Sequence, residues 1–137
     1  MNLALSTTLT TSFAEAVTRT RAALQEQGFG VLTEIDMQAT LKAKLDADME
    51  RYLILGACNP PLAHRAVEAN RQIGLLLPCN VVVREDAAVP GTVVVEAMNP
   101  QLLVQVTDQP ALAPIADEAG RRLQAAIDAL TTGDRAQ

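Results

Sequence analysis

Aromatic side chains are almost absent from this chain of 137 residues, which has Phe13, Phe29 and Tyr52 but no tryptophan. Hydrophobic residues still make up 49% of it, which is too many for a disordered chain. The core must therefore consist of aliphatic side chains. The scarcity of aromatic faces also argues against a surface on which bases or sugars stack.

Positive charge is also scarce, because the chain has 11 Lys and Arg residues but 16 Asp and Glu residues, which gives a net charge of −5. Surfaces that bind nucleic acid or anionic membranes carry basic patches, and the adjacent pair Arg121 and Arg122 does not make one. No apolar run approaches the roughly 20 residues of a membrane span, and the N-terminus lacks the features of a signal peptide. We expect a cytoplasmic protein with reduced cysteines that binds neither nucleic acid nor membrane.

The length predicts one domain over residues 1–137, with a core over about residues 2–130 and a flexible tail at 131–137. Alternating apolar residues predict strands, and apolar residues three or four apart predict helices. The predicted strands are 2–9, 29–35, 51–57, 79–85 and 92–97. The predicted helices are 12–27, a segment capped by Asp36, 60–71, 100–104, and a long segment from Pro110 to Leu130.

This order of elements predicts an α+β fold with one twisted sheet of about five strands, covered mainly on one face by helices. The Pro-Gly loop between strands 79–85 and 92–97 predicts a hairpin, so at least one strand pair is antiparallel. The sheet is then mixed or mostly antiparallel. A doubly wound parallel sheet is the alternative, because three strand-helix-strand links occur.

Two Cys-Asn motifs mark the candidate site: Cys58-Asn59 at the end of the third strand and Cys79-Asn80 at the start of the fourth. If those strands are antiparallel neighbours, both thiols lie at the same end of the sheet. If the strands are parallel, the thiols lie at opposite ends and cannot act together. Under the first arrangement, these four residues are candidates for binding a small ligand.

A metal ion is a second ligand class for this site, with Cys58, Cys79 and His64 as candidate ligands. Thiolate and imidazole groups suit a soft or borderline ion, but three ligands leave a structural zinc site incomplete. The alternative is that both cysteines are small buried apolar residues and that His64 lies on a helix surface.

A reactive cysteine is a further alternative, because Cys58 precedes a predicted helix and a helix N-terminus can lower the pKa of a thiol. Pro60 and Pro61 weaken this hypothesis, since neither has a backbone N–H that could face the thiolate. The sequence therefore leaves open whether the protein is an enzyme, and it assigns no catalytic residue.

Glu34 and Asp36 are also candidate ligand-binding residues, because with Thr33 they could form the rim of a site at the end of the second strand. The alternative is that they form an ordinary strand end and that Asp36 caps the following helix.

Four stretches of the chain, 28–36, 40–45, 54–60 and 74–83, resemble the Domain-of-Unknown-Function 302 family. The most specific motifs of this resemblance are Ala-Cys-Asn-Pro at 57–60 and Leu-Pro-Cys-Asn-Val at 77–81. The resemblance covers about residues 5–130 and implies a small α+β domain that forms a homodimer. The resemblance does not supply an activity, because the family is named for lacking one, and the cofactor stays unknown. Asp46 stands where the family pattern has glycine, and Asn99-Pro100 stands where it has Asp-Pro, but neither departure involves the cysteines.

Three classes of function are consistent with the sequence. We favour a module that binds a small ligand or a metal ion at the Cys-Asn motifs. A small enzyme with a reactive cysteine is the second class. The third is a structural or interaction homodimer, because exposed aliphatic strands need covering, often by a second subunit. The sequence does not identify the ligand, any cofactor or the pathway.

Overall fold

The computed structural model describes residues 2–135, and over that range the chain forms one five-stranded sheet and five α-helices. The strands are β1 (Ala4–Thr10), β2 (Gly30–Asp36), β3 (Tyr52–Cys58), β4 (Cys79–Glu85) and β5 (Thr92–Met98). The helices are α1 (Phe13–Glu26), α2 (Met37–Leu45), α3 (Pro60–Ala69), α4 (Gln101–Thr107) and α5 (Ala113–Arg135). Two 3-10 segments, Arg71–Leu76 and Pro110–Leu112, precede β4 and α5.

The strand order in space is β1-β5-β4-β3-β2, and every neighbouring pair is antiparallel. The predicted α+β fold and the β4–β5 hairpin are confirmed. The doubly wound parallel alternative is wrong, because β2, β3 and β4 alternate in direction even though helices connect them. Helix α1 carries the chain from one edge strand, β1, to the other, β2.

Helices α1 and α5 pack on one face of the sheet, where alternate strand residues point inward. Together they form a cluster that we call the sheet core. It comprises Leu9, Ala16, Ala23, Leu24, Phe29, Leu55, Ala57, Val81, Val83, Val93, Val95, Ala97, Leu123, Ala126, Ile127 and Leu130. All the strand residues of this cluster lie on that one face. The helices are therefore concentrated on one side, as the sequence predicts.

The opposite face carries a row of three apolar residues on adjacent strands, since Ile35 pairs with Ile54 and Ile54 pairs with Val82. Next to this row, Arg84 and Glu96 form an ion pair of 2.9 Å between β4 and β5. This face therefore combines aliphatic side chains with charges of both signs.

A second cluster, the helical core, joins α3, α4 and the first part of α5. It comprises Leu62, Ala66, Ile73, Leu103, Leu112, Ile115 and Ala119. Because α5 contributes its later turns to the sheet core and its earlier turns to the helical core, this one helix links the two.

The structure departs from the sequence prediction at three helix ends. Helix α4 continues to Thr107 instead of ending at 104. Helix α3 stops at Ala69 instead of continuing to 71, because the side chain of Asn70 accepts the N–H of Gln72 at 2.9 Å and starts a 3-10 segment. Helix α5 continues to Arg135, five residues beyond the predicted helix end at Leu130. Thr131 supports the extension, since its hydroxyl lies 2.6 Å from the hydroxyl of Thr7 on β1. Residues 136 and 137 lie outside the described range.

No helix within residues 2–135 combines the length and hydropathy needed to cross a bilayer.

Candidate ligand-binding site

The antiparallel pairing of β3 with β4 brings the two cysteines to the same end of the sheet. Cys79 lies directly opposite Ala57, and Cys58 is the next residue of β3. The third and fourth strands are therefore antiparallel neighbours, which is the arrangement that allows the two thiols to share one site.

Both cysteines line a cavity of about 210 Å³ between the end of the sheet and helices α3, α4 and α5. The lining is almost wholly apolar. It consists of Phe29, Leu32, Ala57, Cys58, Asn59, Leu62, Ala63, Ala66, Leu77, Pro78, Cys79, Leu103, Ile115 and Ala119. The buried members come from both the sheet core and the helical core, so the cavity lies at the junction of the two.

The two thiols differ in their surroundings. Cys79 is 8% exposed, and Cys58 is half-buried. Burial, and secondly the neighbouring Cys58, raises the pKa of Cys79 from 9.0 to about 11. Cys79 is therefore a neutral thiol at neutral pH, so it is a weak nucleophile and a poor metal ligand in that state.

Asn59 is buried at the wall of the cavity, where it caps helix α3. Its Oδ1 accepts the N–H of Leu62 at 3.3 Å, as the Asn-Pro sequence predicts. The amide also packs closely against Gly28, where an added Cβ would lie 3.0 Å from Asn59 Nδ2. Gly28 has a φ of 84°, so glycine suits this position for both conformational and steric reasons.

Asn80, the corresponding residue of the second motif, has a different position. It is exposed and pairs with Gly56, on the sheet face opposite the helices. Thr33 and Pro78 lie so close to Gly56 that any Cβ there would clash with both. The structure therefore brings Asn59 to the cavity with the two cysteines and leaves Asn80 outside it.

His64 is separate from the cysteines. Its side chain is 77% exposed on α3, and its Nε2 lies 3.5 Å from Glu68 Oε1. Among the described residues, no three His, Cys, Asp or Glu side chains lie close enough together to hold a metal ion. The ligand set Cys58, Cys79 and His64 thus does not come together in the fold.

Glu34 and Asp36 lie away from the cavity. Asp36 pairs with Leu53 at the far end of β3, whereas Gly30 pairs with Cys58. The side chain of Asp36 accepts the N–H of Ala39 at 2.9 Å and so caps α2, which is the alternative that the sequence also allowed. Glu34 forms an ion pair with Arg21. Both acidic residues line a separate cleft, together with Phe13, Gln38, Arg51, Tyr52 and Leu53.

Similarity to known proteins extends over nearly the whole chain. The family model described as domain of unknown function DUF302 matches residues 5–130. The chain belongs to the DUF302 family.

The chain is also similar to a solved structure, the crystal structure of an uncharacterized conserved DUF302 protein from Bacillus stearothermophilus. The two sequences are 31% identical, and the match has a TM-score of 0.84 and covers 93% of this chain and 98% of the other. The comparison with curated proteins gives no match. These findings establish the family and the fold.

Most of the apolar wall of the candidate site in this DUF302 protein could not be predicted from the sequence. Leu103, Ile115 and Ala119 line the cavity although they follow the second cysteine by more than 20 residues. For Ile115 and Ala119, the sequence indicates only that they belong to the predicted helix from Pro110 to Leu130. Leu32 was missed for a different reason. The pairing of β2 with β3 shifts register between Val31 and Thr33, which makes Leu32 an extra residue that no sequence pattern had indicated.

Proposed function

We propose that this DUF302 protein is a cytoplasmic small-ligand-binding module whose site is the cavity at Cys58 and Cys79. The observation that carries the proposal is the apolar cavity of about 210 Å³ at the junction of the two cores. The cytoplasm is the proposed location because both cysteines are free thiols, which persist in reducing compartments.

The size of the cavity supports an organic ligand. Protein interiors are normally packed as densely as organic crystals, so an apolar space of this size beside the two cores is an unusual feature. An apolar cavity of about 150 Å³ engineered in another protein binds benzene. A cavity of about 210 Å³ has room for a somewhat larger molecule.

The metal-binding and enzymatic alternatives have less support. A metal ion would have two thiols and no third His, Cys, Asp or Glu ligand among the described residues. It would also have to displace the proton that burial holds on Cys79. A nearby base or a helix N-terminus commonly activates the thiol of a cysteine enzyme. The histidine of the chain lies beside Glu68 on the surface of α3, and Pro60 and Pro61 leave the start of α3 without two of its N–H groups.

A fragment screen followed by protein NMR tests the binding proposal. We expect ligands to shift the resonances of α3, the start of β4 and Leu103. The matched variant Ala63→Phe should abolish those shifts, because Ala63 is a half-buried residue of the cavity wall and a larger ring would fill the space. Hits that shift other regions alone, or that bind the filled variant equally well, would contradict the proposal.

We also propose that the protein acts as a homodimer. Helix α2 supports this proposal because it has no buried residue, although short helices depend on packing for their stability. Its Leu45 is 71% exposed, and Ile35 at the adjacent end of β2 is also exposed. A second copy seated on α2 and the Ile35–Ile54–Val82 row would cover both.

The size and charge of this surface favour a second copy as the partner. Five strands of seven residues present a face of roughly 24 by 24 Å, or roughly 580 Å². Helix α2 adds further area, so the surface approaches the about 800 Å² that a stable interface takes from each subunit. The face also carries charges of both signs in the Arg84–Glu96 pair, which is compatible with a self-complementary two-fold interface.

Sedimentation equilibrium tests the dimer. We expect a dimer at micromolar concentration and a monomer for Leu45→Asp, since that change places a charge in the interface. Leu75→Asp is the control, because Leu75 is 83% exposed but lies in the 3-10 segment before β4. A monomeric wild-type protein, or equal effects of the two substitutions, would refute this interface.

A further inference from the structure

We propose that the ligand of the cavity is an uncharged, largely apolar organic molecule and that Leu32 is a specificity-determining residue at the cavity mouth. This inference rests on the proposed binding function and specifies the class of ligand. Three independent features of the site support it.

The first feature is the lack of charge in the wall. Apart from Asn59, every side chain that lines the cavity is apolar or a thiol, and the buried thiol of Cys79 is neutral at neutral pH. The charged groups on the neighbouring helices pair with one another, since Glu118 contacts Arg65 at 3.1 Å and Arg122 at 3.4 Å. A charged ligand would lose its hydration in this cavity without gaining a partner of opposite charge.

The second feature is the start of α3, which has no backbone N–H to offer an anion. Pro60 and Pro61 lack the group altogether. The N–H of Leu62 is bonded to the side chain of Asn59, and the N–H of Ala63 is bonded to the carbonyl of Asn59 at 2.9 Å. The N–H groups of the first four positions are thus absent or satisfied, so the usual attraction of a helix N-terminus for phosphate or carboxylate does not operate at α3.

The third feature is Leu32. It lines the cavity although its exposure is 68%, which is high for a large apolar side chain. It is the extra residue between Val31 and Thr33, and such bulges commonly redirect a side chain towards a functional site. An apolar ligand would cover Leu32, so part of the binding free energy would come from burying this side chain.

Three probes of nearly equal size test the ligand class: butylbenzene, phenylpropanoate and phenylpropylammonium. We expect butylbenzene to shift the cavity resonances in the wild-type protein and to bind at least about tenfold more tightly than either ion, because each ion must be desolvated. Ala63→Phe should remove the shifts caused by butylbenzene. Folding of each variant is checked by its thermal unfolding.

Leu32→Ala tests the role of the mouth. It should weaken butylbenzene binding by about tenfold, since burial of the lost carbon atoms contributes to affinity. Leu75→Ala removes a side chain of similar exposure that does not line the cavity, and it should leave affinity unchanged. Equal affinities in Leu32→Ala and wild type would overturn the role assigned to Leu32.

Two other results separate this inference from the proposed function. If either ion binds the cavity as tightly as butylbenzene, or if only charged fragments bind there, the proposed ligand class is wrong. The proposal that the cavity binds a small ligand is then still supported. If neither the fragment screen nor the probes shift the cavity resonances, the proposed binding function fails together with this inference.

Discussion

Cys79 lies directly opposite Ala57 across β3 and β4, so Cys58, one residue further along β3, reaches the same cavity from the neighbouring strand. The two thiols share one site but differ in exposure, because Cys79 is buried and Cys58 is half-buried. This difference makes the two cysteines distinguishable in experiment.

We predict that a thiol reagent modifies Cys58 in the native protein and reaches Cys79 only when the protein unfolds. Cys79 is 8% exposed, and its raised pKa leaves little of the reactive thiolate at neutral pH. The measurement is the labelling rate of the single-thiol variants Cys58→Ala and Cys79→Ala, with and without denaturant. Fast native labelling of the Cys58→Ala variant would show that Cys79 is accessible.

The stability of the protein should decrease in alkaline solution because of Cys79. Its pKa is about 11 in the folded protein against an ordinary value of 9.0, so the folded state holds the proton more tightly than the unfolded state does. This contribution is complete below pH 9 and is lost as the pH rises to about 11. At about 1.4 kcal/mol per pKa unit, the loss is on the order of 2–3 kcal/mol.

Denaturant unfolding of the wild type and of Cys79→Ala at both ends of this pH range provides the measurement. The comparison with Cys79→Ala removes the contributions of all other groups in the chain. An identical decrease in the two proteins would mean that Cys79 does not cause it.

Gly56→Ala should destabilise the fold by about 1–3 kcal/mol, the usual range for overpacking. The new Cβ would lie 2.8 Å from Pro78 Cγ and even closer to Thr33. Gly30→Ala is a matched control on the neighbouring strand, where an added Cβ meets no atom within 4 Å. Chemical denaturation of both variants gives the comparison, and similar free energies of unfolding would rule out the clash.

The asparagines of the two Cys-Asn motifs should differ in importance. Asn59→Ala removes a buried helix cap and should lower the free energy of unfolding by about 1–2 kcal/mol. Asn80→Ala alters an exposed position on β4 and should change it by less than about 0.5 kcal/mol. The measurement is thermal or denaturant unfolding, and a larger effect at Asn80 than at Asn59 would contradict the prediction.

Local features of this chain can be predicted from the sequence because neighbouring residues determine them. The sequence predicts strand β4 at 79–85, since this apolar run is followed by a Pro-Gly loop, and the structure confirms this range. Asn59 and Pro60 predict the start of α3, and it too is confirmed. Capping and turn chemistry act over a few residues, so the sequence contains enough information to place them.

Strand order cannot be predicted in the same way, because it depends on packing between distant residues. Helix α2 joins β2 to β3, and such a link often predicts parallel strands, yet the two strands are antiparallel neighbours. The cavity cannot be predicted from the sequence for the same reason, since its wall combines residues as distant along the chain as Leu32 and Ile115. The sequence groups Asp36 with the cysteines as candidate ligand-binding residues, but the register of β2 puts it at the opposite end of the sheet.

Helix α5 spans 23 residues, or about 35 Å, and supplies Ile115 and Ala119 to the helical core but Leu123 and Ile127 to the sheet core. If either core unfolds, the other core also loses the packing of α5. Calorimetry should therefore show one melting transition, with amide hydrogen exchange equally slow in the central turns of α5 on both sides of Gly120. A ligand bound in the cavity between the two cores would then raise the melting temperature of the entire chain.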